Sequence, residues 1–171
     1  PMAYFYTTAT GHTHGLTWPL LYKYHGNTAF RALNIFQVNM PKPFRMAEQY
    51  LIRAEAYANL PTPNYQRAAK DIATLRKARY QSYNGTPAMG DRKTAMKVIE
   101  EERVKELFME GFRLSDLKRW HKGFQRTPQA ETLTNGNTLK VDADDPRLTW
   151  PIPQHELESP DADIQPNASN K

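Results

Sequence analysis

Glu106 and Glu110 are the two residues whose types and spacing come closest to an acid–base pair. On a helix, Cβ atoms four residues apart lie about 6 Å from each other, and paired carboxylates carry out glycoside hydrolysis. Arg103 and Arg113 flank the pair. An arginine favours the ionised carboxylate, whereas a general acid needs a raised pKa. We therefore predict a structural network in which each charge has a partner one helical turn away. An enzymatic reading would need a cleft that exposes a glutamate away from the arginines.

Other catalytic or metal-binding patterns are weak. His12 and His14 could hold a metal in an extended loop, but no acidic residue lies within the first thirty positions, so we predict loop histidines without a metal. Ser115 has no histidine and acid in a recognisable arrangement, and phosphate-binding glycine motifs are missing from the sequence. The sequence has no cysteine, which excludes disulfides and thiolate chemistry. We predict no catalytic residue, metal or cofactor.

Aromatic residues are concentrated in the weakly charged segment 1–41. Their rings have flat apolar faces and polar edges, which suit sugars and other amphipathic ligands. The alternative is that the rings cover the helices as an extension of the core. The candidate ligand-binding residues are Tyr4, Tyr6, Trp18, Tyr22 and Tyr24.

A long helix over residues 92–122 is predicted to carry the charged residues. Asp91 precedes it as a candidate N-cap, and Gly123 follows it as a candidate C-terminal cap. Apolar residues on two faces, including the strip of Val104, Phe108 and Phe112, predict a helix buried between layers.

Two shorter helices precede it, over 44–59 and 65–80, with Pro43 near the first helical position and Asn64 as the N-cap of the second. The short connection predicts antiparallel neighbours, and their small-residue faces are typical of a tetratricopeptide-like hairpin. The predicted inner faces are Ala47, Leu51, Ala54 and Ala58 in the first helix, and Tyr65, Ala68, Ala69, Ile72 and Leu75 in the second.

The remainder is predicted to be irregular. A short strand is expected within 18–24, a β-hairpin around Asn135-Gly136, and an extended strip at 150–153 pinned by Trp150, before a polar tail laid on the surface or frayed. The predicted fold class is mainly α, with irregular loops. We predict one domain of 171 residues, divided into an aromatic segment 1–41, a helical core 42–123 and a C-terminal part 124–171.

The charge pattern argues against nucleic-acid binding, and the hydropathy argues against a transmembrane segment. The net charge is +5, but residues 42–126 hold 18 Lys or Arg against 10 Asp or Glu, scattered around helices where many can pair. We therefore predict no nucleic-acid binding. No run of eighteen apolar residues occurs, so no transmembrane segment is predicted.

Three blocks, taken together, resemble the C-terminal part of the SusD/RagB family of Bacteroidetes glycan-capture lipoproteins. In order, they are residues 44–57, residues 102–120 with Glu110-Gly111-Phe112-Arg113, and Trp150-Pro151-Ile152-Pro153 with Gln165-Pro166-Asn167. The second block is the most specific, and the resemblance spans about residues 40–167. The last motif departs from the usual Gln-Asn-Pro order.

The resemblance implies an outward-facing outer-membrane lipoprotein without catalytic activity. Such proteins capture oligosaccharides or polysaccharides and pass them to a SusC-like TonB-dependent transporter. It also implies that the family's N-terminal half, with its lipid-bearing cysteine, precedes this segment. The open alternative is a helical-repeat scaffold that binds proteins and no sugar.

Overall fold

The computed structural model describes residues 6–7, 20–21, 23–24, 26–31, 33, 35, 38–39, 43–127, 139–159 and 163–170, and the fold is mainly helical, as predicted. The chain forms two compact units, Pro1–Glu106 and Leu107–Lys171. The division at residues 41 and 123 within one domain stays a prediction.

The first unit begins with a small antiparallel sheet. Strand β1 is Tyr6–Thr7 and strand β2 is Leu20–Leu21, with Tyr6 opposite Leu21. The strand expected within 18–24 is therefore present in its central two residues. A single helical turn, α1, follows at Thr28–Arg31.

Helices α2 (Met46–Asn59) and α3 (Tyr65–Lys77) form the predicted hairpin. The side chain of Asn64 accepts a hydrogen bond from the backbone N–H of Arg67 at 3.0 Å, which caps α3 as predicted. Helix α2 begins two residues later than predicted, with Arg45 rather than a proline before its first residue. Small side chains allow the backbones to approach closely. The buried residues are Ala47, Leu51, Ala54 and Ala58 in α2, and Ala68, Ala69, Asp71, Ile72, Ala73 and Leu75 in α3.

Helix α4 (Arg92–Glu106) packs on α2 and α3. Asp91 caps it as predicted, because one of its carboxylate oxygens accepts a hydrogen bond from the backbone N–H of Thr94 at 2.8 Å. Its buried face contains Ala95 and Ile99 and then the charged residues Glu102, Arg103 and Glu106. Val104 is exposed, so the prediction of a helix buried on two faces is wrong.

The prediction of one helix over 92–122 is also wrong, because α4 ends at Glu106. Lys23 and Arg45 donate hydrogen bonds to the carbonyl oxygen of Glu106 at 3.2 and 3.0 Å. Cations at a C-terminal carbonyl stabilise a helix end. Beyond it, Met109 (φ 62°) and Gly111 (φ 84°) are left-handed, a conformation that interrupts a right-handed helix.

The second unit begins with α5 (Phe112–Arg119), which ends at a different residue from the one predicted. His121 adopts φ 52°, and the N–H groups of His121 and Lys122 donate to the carbonyls of Lys118 and Leu117. This is a Schellman motif with His121 in the position predicted for Gly123. Gly123 has another role: a Cβ there would lie 2.0 Å from the carbonyl oxygen of Val141.

Strands β3 (Phe124–Gln125) and β4 (Lys140–Val141) pair antiparallel, with Phe124 opposite Val141. The turn predicted at Asn135-Gly136 lies outside the described residues. The unit is completed by a 3₁₀ turn at Pro146–Leu148, helix α6 (Gln154–Leu157) and a 3₁₀ turn at Ala168–Asn170.

We predict that Ala54→Leu lowers the free energy of unfolding by about 1 to 3 kcal/mol, because the fully buried face of α2 has no room for three more carbon atoms. Urea denaturation measures the change. Ala56→Leu on the exposed face of the same helix is the matched control, with an expected change within about 0.5 kcal/mol. Equal effects of the two substitutions would contradict the packing described for α2.

Candidate functional site

The carboxylate of Glu106 is bound by arginines from outside its own helix. Arg79 donates from Nε and Nη2 at 2.8 Å each, and Arg45 donates from Nη1 at 2.8 Å. The Glu106 side chain is 7% exposed, whereas that of Arg79 is 42% exposed. Both carboxylate oxygens are therefore engaged in charge-assisted hydrogen bonds.

This arrangement makes Glu106 a poor general acid. Burial by itself would raise the pKa of the Glu106 carboxyl, but the hydrogen bonds and charges of Arg79 and Arg45 outweigh burial and lower it. The helix ends at Glu106, so the four-residue helical spacing to Glu110 is not realised. The predicted ion-paired role holds for Glu106. The predicted partners one helical turn away on the same helix are wrong for Glu106. The partners described for its carboxylate are Arg45, just before α2, and Arg79, just beyond α3.

Two more buried acids are paired between the helices of the first unit. Arg53 on α2 binds Asp71 on α3 through two hydrogen bonds of 2.8 and 2.7 Å, and these raise the pKa of the arginine. Arg76 on α3 binds Glu102 on α4 at 2.8 Å. The first pair joins α2 to α3 and the second joins α3 to α4. Glu106 adds the arginines that lie just before α2 and beyond α3.

Of the predicted aromatic set, one side chain is described. Tyr24 is 47% exposed. Tyr6 lies in β1, where its backbone pairs with β2. The other three candidates, Tyr4, Trp18 and Tyr22, lie outside the described residues, and so do His12 and His14.

Within the described residues, no group of three or more His, Cys, Asp or Glu side chains could hold a metal ion. In the same part of the chain no helix has both the length and the apolar character needed to cross a membrane.

A cleft of about 490 Å³ in the second unit has no counterpart in the sequence predictions. It lies between the C-terminal end of α5, the turn before Pro146 and the last 3₁₀ turn. The lining residues with hydrogen-bonding side chains are Lys118, His121, Asp144, Asp145, Thr149, Asn167 and Ser169. His121 Nδ1 and Asp144 Oδ1 are 2.8 Å apart, and both residues adopt left-handed backbone conformations, at φ 52° and 58°. The left-handed conformation is uncommon outside glycine and is enriched at functional sites.

Trp150 lies next to this cleft in the chain, and its side chain is not the pin that the sequence predicted, because it is 82% exposed. Two asparagines hold the strip instead. Asn170 accepts from the N–H of Ile152 at 3.0 Å and donates to its carbonyl at 2.8 Å. Asn167 donates to the carbonyl of Trp150 at 3.0 Å. The tail is therefore laid on the surface at these residues, as one of the predicted alternatives had it.

Comparison with protein families shows to which family the chain belongs. The model of the SusD family matches residues 6–167. The chain belongs to the SusD family. The resemblance found at about residues 40–167 thus extends through the aromatic segment to residue 6. Searches of curated proteins and of solved structures gave no match.

The SusD family is associated with glycan binding and nutrient capture, and it is a non-catalytic carbohydrate-binding family. Its members are typically surface lipoproteins of the outer membrane, and the family implies a SusC partner.

We predict that Glu106→Gln destabilises the protein by about 2 to 3 kcal/mol at pH 7, because two arginines lose their anion. The value is below that of a fully buried pair because solvent reaches Arg79. Chemical denaturation measures the change. Glu101→Gln, on the exposed face of the same helix, is the control and should change stability by less than about 0.5 kcal/mol. A Glu106→Gln variant as stable as the control would show that the arginine pairs do not stabilise the fold.

The stability difference between wild type and Glu106→Gln should also depend on pH. The folded-state pKa of Glu106 lies below its ordinary value, so the stabilisation is complete above the unfolded-state pKa, about 4.3, and is lost as pH falls through the folded value. Urea titrations at several pH values should give a constant difference between about pH 7 and 5.5 and a smaller one below about 4.3. A stability difference between wild type and Glu106→Gln that grew as the pH fell would contradict a pKa of Glu106 lowered by the arginines.

Proposed function

We propose that this chain is a non-catalytic carbohydrate-binding protein, which captures oligosaccharide or polysaccharide at the outer face of the outer membrane. The family match over residues 6–167 carries the proposal. The proposed site consists of the aromatic candidates of the N-terminal segment, among which Tyr24 is 47% exposed. An accessible aromatic ring offers a sugar an apolar stacking face.

The proposal includes one protein partner, a SusC-like TonB-dependent transporter that receives the captured glycan. Family membership supports this partner. The exposed apolar side chains of Phe44 and Met46, at the start of α2, are of the kind that a protein partner covers. The same two residues favour the second candidate function, a helical scaffold that binds proteins without binding sugar.

We predict that Tyr24→Ala weakens retention on the polysaccharide that wild type recognises by between about twofold and tenfold, the range of one aromatic stacking contact. Affinity electrophoresis in native gels that contain soluble polysaccharides measures the retention. Trp18→Ala and Tyr22→Ala are tested in parallel as the other members of the candidate set.

Phe44→Ala is the matched control, because Phe44 is an exposed aromatic residue, 85% exposed, outside that set. Its retention should equal that of wild type. Wild type running unretarded through every polysaccharide would reject sugar capture and leave the scaffold function. Equal losses for Tyr24→Ala and Phe44→Ala would reject Tyr24 as part of the site.

A further inference from the structure

The cleft of the second unit, defined by Lys118, His121, Asp144, Thr149, Asn167 and Ser169, offers both donors and acceptors to a ligand. His121 uses Nδ1 for Asp144, so its other ring nitrogen, Nε2, is the one that a ligand would contact. The hydroxyl of Ser169 donates to Asn167 at 2.6 Å and keeps acceptor capacity. A mixture of hydroxyl, imidazole, carboxylate and ammonium groups matches the alternating donors and acceptors of a polyol.

The fixed charges at this cleft balance. Lys118 opposes Asp144 among the lining residues. Asp145, which also lines the cleft, is bound by Arg147 through its backbone N–H, Nε and Nη2 at 2.8, 2.9 and 2.6 Å. Those hydrogen bonds hold the pKa of Asp145 at about 2 and neutralise its charge with that of the arginine. A cleft without excess charge favours an uncharged ligand over an anion or a cation.

An exposed aromatic residue adjoins the cleft in the chain. Trp150 follows the lining residue Thr149, and its backbone carbonyl is held by Asn167, another lining residue. The side chain is 82% exposed, which is unusual for so large an apolar group. Leu148 is buried and gives the cleft lining an apolar side chain. A volume of about 490 Å³ falls within the range of small-molecule sites.

We infer that this cleft binds a neutral saccharide, with Trp150 as the stacking ring and His121, Asp144 and Thr149 as hydrogen-bonding partners. It is a site separate from the N-terminal aromatic set, and it rests on the proposed carbohydrate-binding function.

The test measures the binding of neutral hexaoses (malto-, cello-, xylo- and mannohexaose) and of a uronate hexamer to the ¹⁵N-labelled chain. Isothermal titration calorimetry gives the affinity, and the NMR signals of the indole N–H groups report which tryptophan is affected. The chain has three tryptophans, and Trp150→Phe identifies the signal of Trp150. We expect a neutral hexaose to shift that signal, and Trp150→Ala to weaken its binding about tenfold. Asp144→Asn keeps a side chain that tolerates the left-handed turn and should weaken binding about fivefold, since a charged acceptor is replaced by a neutral one.

Phe44→Ala again serves as the control, matched to Trp150 in exposure, and should bind as wild type does. Circular dichroism checks that each variant is folded. Binding of a hexaose that leaves the Trp150 signal and both cleft variants unchanged would overturn the cleft and leave the proposed function standing. Tighter binding of the uronate hexamer at Trp150 would overturn the neutral ligand class. Binding of none of the hexaoses to wild type, together with the absence of polysaccharide retention, would overturn both proposals.

Discussion

The ion pair on which the first unit most depends is that of Glu106 with Arg79 and Arg45. It lies at the end of α4, where the carboxylate meets an arginine from beyond α3 and another from before α2. Burying a carboxylate is unfavourable unless its oxygens are satisfied, and here both are. The backbone carbonyl of Glu106 accepts hydrogen bonds from Lys23 and Arg45. Glu106 therefore connects segments that are distant in sequence at the point where α4 ends.

This use of charge bears on function. Asp71, Glu102 and Glu106 are the buried acids of the first unit, and each binds an arginine from another element. For Glu106, the arginines lower the pKa of the carboxyl, which makes it a poor proton donor. The glycan contacts that we propose are instead the exposed rings and the polar groups of the second-unit cleft. A binding function without catalysis agrees with that division, and the SusD family has this character.

Local patterns predicted much of the fold. The alanine faces of α2 and α3 and the caps Asn64 and Asp91 depend on spacing within a few residues, so the sequence was sufficient for them. The end of α4 depends on Lys23 and Arg45, which are distant in sequence, although Gly111 within the predicted helix was a local warning. The cleft collects residues from 118 to 169, which no local pattern connects. Trp150 was predicted to pin the strip at 150–153, but the two asparagines that hold it come from the tail, about twenty residues further along the chain.

The most direct test of the structural role of these charges is a double-mutant cycle between Glu106→Gln and Arg79→Met, with unfolding free energies measured at pH 7. The cycle cancels the other contacts of each residue and isolates their mutual interaction. The account predicts a coupling energy of about 1 to 3 kcal/mol, because the two side chains share two short hydrogen bonds. Additive effects, with a coupling below about 0.5 kcal/mol, would contradict it.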